Sequence, residues 1–354
     1  MSGIEILKTA EPASLRAFDA VIDVRTPAEF ALDHAPGAVN LPVLSDAERA
    51  EVGTIYVQED RFKARRVGAA YIARNVAGHL QGALSDRPGG FRPLIYCWRG
   101  GMRSSAMATI LSQVGWRTTV LAGGYMTWRR HVTARLYDAA LPFRLLLIDG
   151  YTGSGKTELL QRLAALGEQT VDLEGLAAHR GSLFGGFADR PQPSQKLFES
   201  QLLSLLDGLD PARPVFVEAE SSKVGERMVP PALWQAMTAA PRIELGAEPQ
   251  ARARYLVRAY RDIVEDRPAL DEALRRLPTP PGRKRLAAWG ELADAGHFEA
   301  LALALMELHY DPAYRRSSRR DERRPMARVA MGGLADPDFA AAAEQIRALA
   351  AGLA

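Results

Sequence analysis

FRLLLIDGYTGSGKTELL, Phe143 to Leu160, decides how the second half of this 354-residue chain folds. Leu145 to Ile148 form an apolar run of strand length, and Lys156 to Leu160 open a helical pattern. Between them, Gly150, Thr152, Gly153, Ser154, Gly155, Lys156 and Thr157 satisfy the GxxxxGK[ST] pattern without a mismatch, in the strand-to-helix setting that pattern needs. The glycines let backbone N–H groups surround a diphosphate, Lys156 adds a point charge, and the Thr157 hydroxyl can reach a magnesium ion. Downstream, VFVEAES reads as a second strand ending in Glu218 and Glu220. Their carboxylates either hold a metal or its water, or are the solvated acids of an ordinary strand end. In DLEGLAAHRGSLFGG, Asp172 and Glu174 follow a short strand, and Asp172 joins the candidate magnesium-linked acids. His179 and Arg180, next to a glycine-rich turn, read as a wall of the diphosphate pocket.

Upstream, Leu141-Pro142 marks a division near residue 140. Before it, short runs at Ala20 to Val24, Leu94 to Tyr96 and Thr118 to Leu121 alternate with helical segments such as Ser104 to Val114, the mark of an α/β domain with a mainly parallel sheet. Residues 44 to 80 read as a helical insertion. Helical spacing returns from Pro249 to Tyr310, and Asp336 to Ala354 reads as one final amphipathic helix. With 47% hydrophobic residues the chain can bury two ordinary cores. It lacks both the ~18-residue apolar window of a membrane helix and the pattern of a signal peptide, so a soluble cytoplasmic protein with no membrane partner is expected. The net charge of +3 does not by itself point to nucleic acid. Arginines do cluster: Tyr314 to Arg328 holds seven against two acids, either a solvated face or a contact for a polyanion. RARYLVRAYRD, Arg252 to Arg261, repeats arginine at helical spacing with the same two readings.

The single cysteine lies in YCWRGGMRSS, Tyr96 to Ser105. It excludes an internal disulfide and a cysteine-rich metal site, so no structural metal is expected, and Cys97 is either a small core residue or a reactive thiol. It ends a strand, and Trp98, Arg99, Gly100, Gly101, Met102, Arg103 and Ser104 curl into a helix N-terminus. Inward N–H groups and the helix dipole suit an oxyanion and favour the thiolate, while Arg103 can clamp the anion through paired donors. Trp98 and Tyr151, beside the two loops, are candidates to stack on an unstacked base.

AVIDVRTPAEFALDHAPGAVNLP, Ala20 to Pro42, resembles the opening signature of rhodanese domains, and LAGGYMTW, Leu121 to Trp128, is similar to their closing signature. The resemblance implies that Cys97 is a chalcogen-carrying nucleophile. The loop from Cys97 to Arg103 is one residue longer than the usual rhodanese loop, which suits a tetrahedral anion and also resembles cysteine phosphatases. Taken with Gly150 to Thr157, Asp172 to Gly185, EAESSKVG (Glu218 to Gly225) and HYDPAY (His309 to Tyr314), the chain resembles the tRNA 2-selenouridine synthase family.

That resemblance implies an α/β protein in two parts. An N-terminal rhodanese-like parallel sheet with flanking helices spans 1–138, and a P-loop NTPase-like domain with a helical, arginine-rich C-terminal region spans 139–354. The implied reaction converts 2-thiouridine at the wobble position of tRNA to 2-selenouridine. Sulfur first attacks geranyl diphosphate, and selenium from selenophosphate then replaces the geranylthio group. Selenophosphate and geranyl diphosphate are then co-substrates, magnesium accompanies the diphosphate, and a selenophosphate-producing enzyme is a candidate partner. Cys97 either carries selenium covalently or positions its donor. Phe184, Phe187, Leu197 and Phe198 lie near the P-loop in sequence as either groove or core. Two rivals remain: an ATP-dependent sulfurtransferase or rhodanese-type cysteine phosphatase, and a regulatory binding protein. The intact cysteine argues against the last.

Overall fold

A computed structural model describes residues 3–182, 185–187, 190–277, 282–312, 314–315 and 324–352. The chain forms two compact units, Met1–Ala139 with Pro193–Gly208, and Ala140–Gln192 with Leu209–Ala354.

In the first unit, strands β1 (Glu5–Leu7), β2 (Ala20–Asp23), β3 (Ala38–Asn40), β4 (Pro93–Tyr96) and β5 (Thr119–Leu121) make a parallel sheet in the order β1-β5-β4-β2-β3. The central strand β4 is buried along its whole length, as a parallel strand covered on both faces should be. Helices α1 (Pro12–Leu15), α2 (Pro27–Leu32), α5 (Met102–Val114) and α6 (Tyr125–Leu136) connect the strands, and α3 (Asp46–Gln58) and α4 (Arg61–Gln81) form the expected insertion. Each of α2 and α3 starts with a capping box, Thr26 with Glu29 and Ser45 with Glu48, which satisfies otherwise unpaired amides. Ile22, Val24, Ile95, Met107 and Leu111 centre the core, and Cys97 packs at its edge.

The second unit repeats the scheme. Strands β6 (Leu145–Gly150), β7 (Gln169–Val171), β8 (Val215–Glu218), β11 (Arg242–Gly246) and β12 (Ala327–Ala330) pair in parallel in the order β7-β8-β6-β11-β12, while β9 (Lys223–Val224) and β10 (Arg227–Met228) form a separate small hairpin. Strand β6 is central, and its neighbours β8 and β11 run on in opposite directions across the sheet. Its carboxyl end is therefore the crevice where such sheets bind ligands. Helices α7 (Lys156–Ala165) and α10 (Pro231–Ala239) pack on this sheet with the C-terminal helix Asp336–Ala351, and α8 (Leu173–Leu176) follows β7. A helical cluster follows β11: α11 (Pro249–Ala259), α12 (Arg261–Val264), α13 (Arg267–Arg275), α14 (Arg283–Asp294) and α15 (Phe298–Leu305), which runs into a π-helical turn at Met306–Tyr310. Leu270, Leu274, Trp289, Leu301 and Leu305 give that cluster its own core.

One segment departs from the division read in the sequence. Residues 193–208, expected in the second domain, belong to the first unit. Their helix α9 (Gln195–Leu206) packs on α6: Trp128 Nε1 donates to Ser200 Oγ at 3.0 Å, Tyr137 OH donates to Glu199 Oε1 at 2.6 Å, and Arg129 pairs with the same carboxylate. Glu199 and Ser200 are buried, so these partners offset the desolvation of two polar side chains.

Candidate functional site

Cys97 stands between the end of β4 and the start of α5, and its side chain is 3% exposed. Two donors reach its sulfur, the Gly101 N–H and the Ser104 hydroxyl, each at 3.2 Å. The loop is held from behind by the closing signature: Tyr125 N donates to Cys97 O at 2.8 Å and Met126 N to Trp98 O at 3.2 Å. Gly124 makes that approach possible, since a Cβ there would lie 2.2 Å from Cys97 O. The opening signature lies beneath. Buried Arg25 pairs with Asp23 at 2.6 Å, donates to Asp33 O, and stacks over the Tyr125 ring at 4.0 Å, while Asn40 donates to the carbonyls of Asp23 and Arg25. These residues serve the loop as scaffold.

Arg103 faces Glu29, donating at 2.6 and 3.2 Å. Burial pushes the Glu29 carboxyl up, but the Arg103 fork and the Thr26 amide outweigh it, so its pKa falls below the ordinary carboxylate value. Arg99, Gly101 and Met102 are exposed, Trp98 and Gly100 are half-buried, and the Trp98 ring leans on Tyr125 at 5.2 Å. The insertion helices set an apolar groove of about 340 Å³ against Met102 and Arg103, lined by Val52, Tyr56, Ile72 and Ile110 among others.

In the second unit the P-loop lines a cleft of about 540 Å³ together with Asp172, Glu174, His179, Arg180 and Glu220. Lys156 Nζ sits 3.4 Å from Gly150 O, and Ser154 Oγ is buried with no partner among the described residues. Thr157 Oγ1 donates to Glu174 Oε2 at 2.7 Å. Burial first and the Glu220 charge second push the Glu174 carboxyl up to about 7. Asp172 Oδ1 caps α8 by accepting the Gly175 amide at 2.6 Å. Glu218 departs from its expected place beside the metal. It is fully buried, accepts the Leu173 amide at 3.0 Å and is pushed far up by burial, and it is not among the residues lining the cleft.

The His179 ring lies between two glycines, where a Cβ on Gly185 or Gly225 would come within 2.7 Å of it, and burial lowers its pKa. Arg180 pairs with Asp262 at 2.9 Å and stacks on Phe187 at 4.1 Å and Tyr260 at 4.9 Å. No group of three or more His, Cys, Asp or Glu among the described residues is arranged to hold a metal alone. The hard oxygens of Thr157 and Glu174 side by side do fit a magnesium ion bound chiefly through diphosphate oxygens and water.

Residues from later in the chain also support the P-loop. Arg252 is 3% exposed, donates to Thr152 O at 2.9 Å and forks onto Asp311 at 2.6 and 3.0 Å. It therefore holds the loop and is not free to grip a tRNA phosphate; Arg254, Arg258 and Arg261 of the same run are exposed. Tyr314 stacks on Tyr151 at 4.2 Å and donates to Asp149 at 3.1 Å, so HYDPAY buttresses the loop through Asp311 and Tyr314. Most of the arginine run, residues 316–323, lies outside the described residues, as does Phe184. Leu197 and Phe198 belong to α9 in the first unit, with Phe198 wholly buried, whereas Phe187 lines the P-loop cleft with Tyr255, Tyr260 and Tyr314.

Comparison with known proteins bears on both units. A rhodanese-like domain matches residues 8–131, and the tRNA 2-selenouridine synthase AAA domain matches 143–272. The tRNA 2-selenouridine synthase of Chromohalobacter salexigens is 36% identical over 83% of this chain and 87% of its own length. That of Shewanella denitrificans is 35% identical over 73% and 70%, and that of Hahella chejuensis 37% over 75% and 69%. The chain belongs to the tRNA 2-selenouridine synthase family. For this synthase-family chain, the rhodanese-like match takes in both signatures around Cys97, and the AAA match takes in the P-loop, the acids and Arg252. HYDPAY falls beyond both, and its contacts with Arg252 and Tyr151 explain why it accompanies them.

Proposed function

We propose that this chain converts 2-thiouridine at the tRNA wobble position to 2-selenouridine in two half-reactions, one at each loop. The observation that carries this reading is the pair of strand–loop–helix anion sites, one built around a sulfur and the other around a lysine. At the P-loop, the thiouridine sulfur attacks C1 of geranyl diphosphate. The C1–O bond breaks, diphosphate departs, and the N3 proton is lost as the C2–N3 double bond forms. Lys156, the loop amides and the Thr157 hydroxyl hold the developing charge of diphosphate. Magnesium, when bound, would neutralise part of that charge. His179 and Arg180 wall the same cleft.

At the Cys97 loop, the selenium of selenophosphate adds to C2, the C2–S bond breaks and geranylthiol leaves with a proton, and water then cleaves the P–Se bond to release phosphate and restore the N3 proton. The residues from Trp98 to Ser104 receive the tetrahedral anion, with Arg103 exchanging Glu29 for phosphate oxygens and Cys97 meeting the selenium. The apolar groove beside Met102 offers the geranyl group a surface during this step. The chain has no second cysteine to resolve a Cys97 adduct, so release falls to the tRNA or an outside thiol. The exposed arginines and the half-buried Trp98 are the candidate tRNA contacts. No helix among the described residues is long and apolar enough to cross a membrane, in keeping with a cytoplasmic enzyme supplied by a selenophosphate-producing partner.

Nucleoside mass spectrometry on 2-thiouridine tRNA with protein, magnesium, geranyl diphosphate and selenophosphate tests the reading. A geranylthio product followed by a seleno product is expected. Unchanged thiouridine with turnover of ATP or of a phosphate ester would overturn it in favour of the sulfurtransferase or phosphatase reading.

A further inference from the structure

A second cavity opens beside the P-loop. Thr152, Ser182, Leu256 and Tyr260 line both it and the diphosphate cleft, so the two adjoin. From that shared wall it runs among the helices that follow β11, past Ile263, Leu270, Phe298 and Leu301. It is a narrow slot of about 70 Å³ that opens to solvent at its mouth. The P-loop packs directly on one of its lining residues: a Cβ on Gly153 would meet Leu256 Cγ at 2.8 Å. The polar side chains at the junction are already engaged, with Ser182 Oγ bonded to Tyr260 OH at 2.6 Å and the Thr152 carbonyl taken by Arg252.

We infer that this slot binds the isoprenoid tail of the prenyl diphosphate whose head occupies the P-loop, and that its depth selects the chain length. The inference rests on the prenyl-transfer reading above and deepens it. An amphiphile with an anionic head and a thin apolar tail matches a cationic loop beside an apolar slot. A nucleoside placed there would leave ribose and base donors without partners, a large penalty in an apolar wall. The slot excludes bulk water from the carbon next to the leaving oxygen, which protects a reactive allylic centre until the sulfur arrives. Ala302 on α15 and Val257 on α11 flank it, and Phe298 lies on its wall within the helical cluster.

The test is calorimetric binding of inorganic diphosphate and of dimethylallyl, geranyl and farnesyl diphosphates to the full chain with magnesium, beside geranylation of 2-thiouridine tRNA. Geranyl diphosphate should bind wild type at least ~10-fold tighter than inorganic diphosphate. Ala302→Phe, and independently Val257→Phe, should remove at least ~5-fold of that advantage, with inorganic diphosphate held within about twofold as the check that the P-loop is intact. Phe298→Ala should move preference toward farnesyl diphosphate. Suppose wild type forms the geranylthio nucleoside but all three variants keep the wild-type preference. The tail then lies elsewhere, and this inference fails while the prenyl-transfer reading stands. A wild type that binds geranyl diphosphate no better than inorganic diphosphate and geranylates nothing overturns both. A tail advantage lost in the filled variants without any tRNA product supports the slot and overturns the acceptor.

Discussion

The two loops share one local design and differ in what fills it. Each leaves a parallel strand, turns on glycine and enters a helix N-terminus, where amides and dipole favour an anion. In the Cys97 loop the donors already converge on a sulfur, and the Arg103 fork is held by Glu29. In the P-loop the corresponding groups face a cleft of about 540 Å³, with a flexible lysine in place of a nucleophile. The difference teaches that the first loop gathers its donors on an atom of its own, whereas the second turns them toward open space that an anion can fill. Cys97→Ser breaks the comparison at its strongest point. Seleno product should fall at least ~1,000-fold, since a hydroxyl is a far weaker nucleophile, and a poorer partner for a soft atom, than a sulfur, while the geranylthio product still accumulates. Equal loss of both products would show that the loops do not divide the work.

Lys156→Ala should produce the reverse pattern. Removing one preorganised charge at a leaving group costs about 10²–10³ in rate, so geranylation should drop by that factor. Selenium incorporation into tRNA that already carries the geranylthio group should stay near wild type. Following both products from the two starting tRNAs separates the steps, and a matching loss in the second reaction would deny the P-loop its exclusive role.

A smaller effect sharpens the contrast within the Cys97 loop. Gly101 has open space where a Cβ would go, whereas a Cβ on Gly124 would meet Cys97 O at 2.2 Å and Gly100 N at 2.6 Å, at a φ of 56°. Gly124→Ala should therefore destabilise the first unit by about 2–3 kcal/mol, and Gly101→Ala by about 0.5 kcal/mol or less. Thermal melts of the two variants check this, and similar melting points would mean that the closing signature does not brace the loop.

The same pair of glycines marks what was legible beforehand. Both loops could be read because strand, glycines and helix start are local in sequence, and the two parallel sheets followed from apolar runs alternating with helical ones. What escaped notice is non-local. Glu199 and Ser200 read as polar positions on an ordinary helix; their partners Trp128, Arg129 and Tyr137 lie 62 to 72 residues earlier, so the return of α9 to the first unit left no periodic trace. Arg252 repeats with other arginines at helical spacing, and only the approach of Thr152 and Asp311 turns it inward. Glu218 sits at a strand end, as a metal ligand would, but α8 folds over it and places Glu174 against Thr157 instead. An Asp and a Glu two residues apart could not be told apart by pattern.

Glu174 supplies the mildest test and the one that reads the cleft's electrostatics most directly. Its carboxyl is pushed up to about 7, first by burial and then by the Glu220 charge. An acid with a raised pKa keeps in the folded state a proton that the unfolded chain releases. Between the ordinary carboxylate value and about 7 the folded state therefore binds more protons, and stability falls as pH rises through that window. Above about 7 the penalty is complete. Glu174→Gln removes the titration while its amide oxygen can still accept the Thr157 hydroxyl. The variant should match wild type at pH 5 and be more stable by about 1–2 kcal/mol at pH 8, as measured by denaturant midpoints at the two values. The P-loop cleft would then be a place where unbound carboxylates repel each other until a cationic partner arrives. The Cys97 loop has no such pair, because there Glu29 already has its arginine and is held below the ordinary value. A variant that is no more stable than wild type at pH 8 would mean that Glu174 and Glu220 are screened by solvent, and the asymmetry between the loops would then reside in their nucleophiles alone.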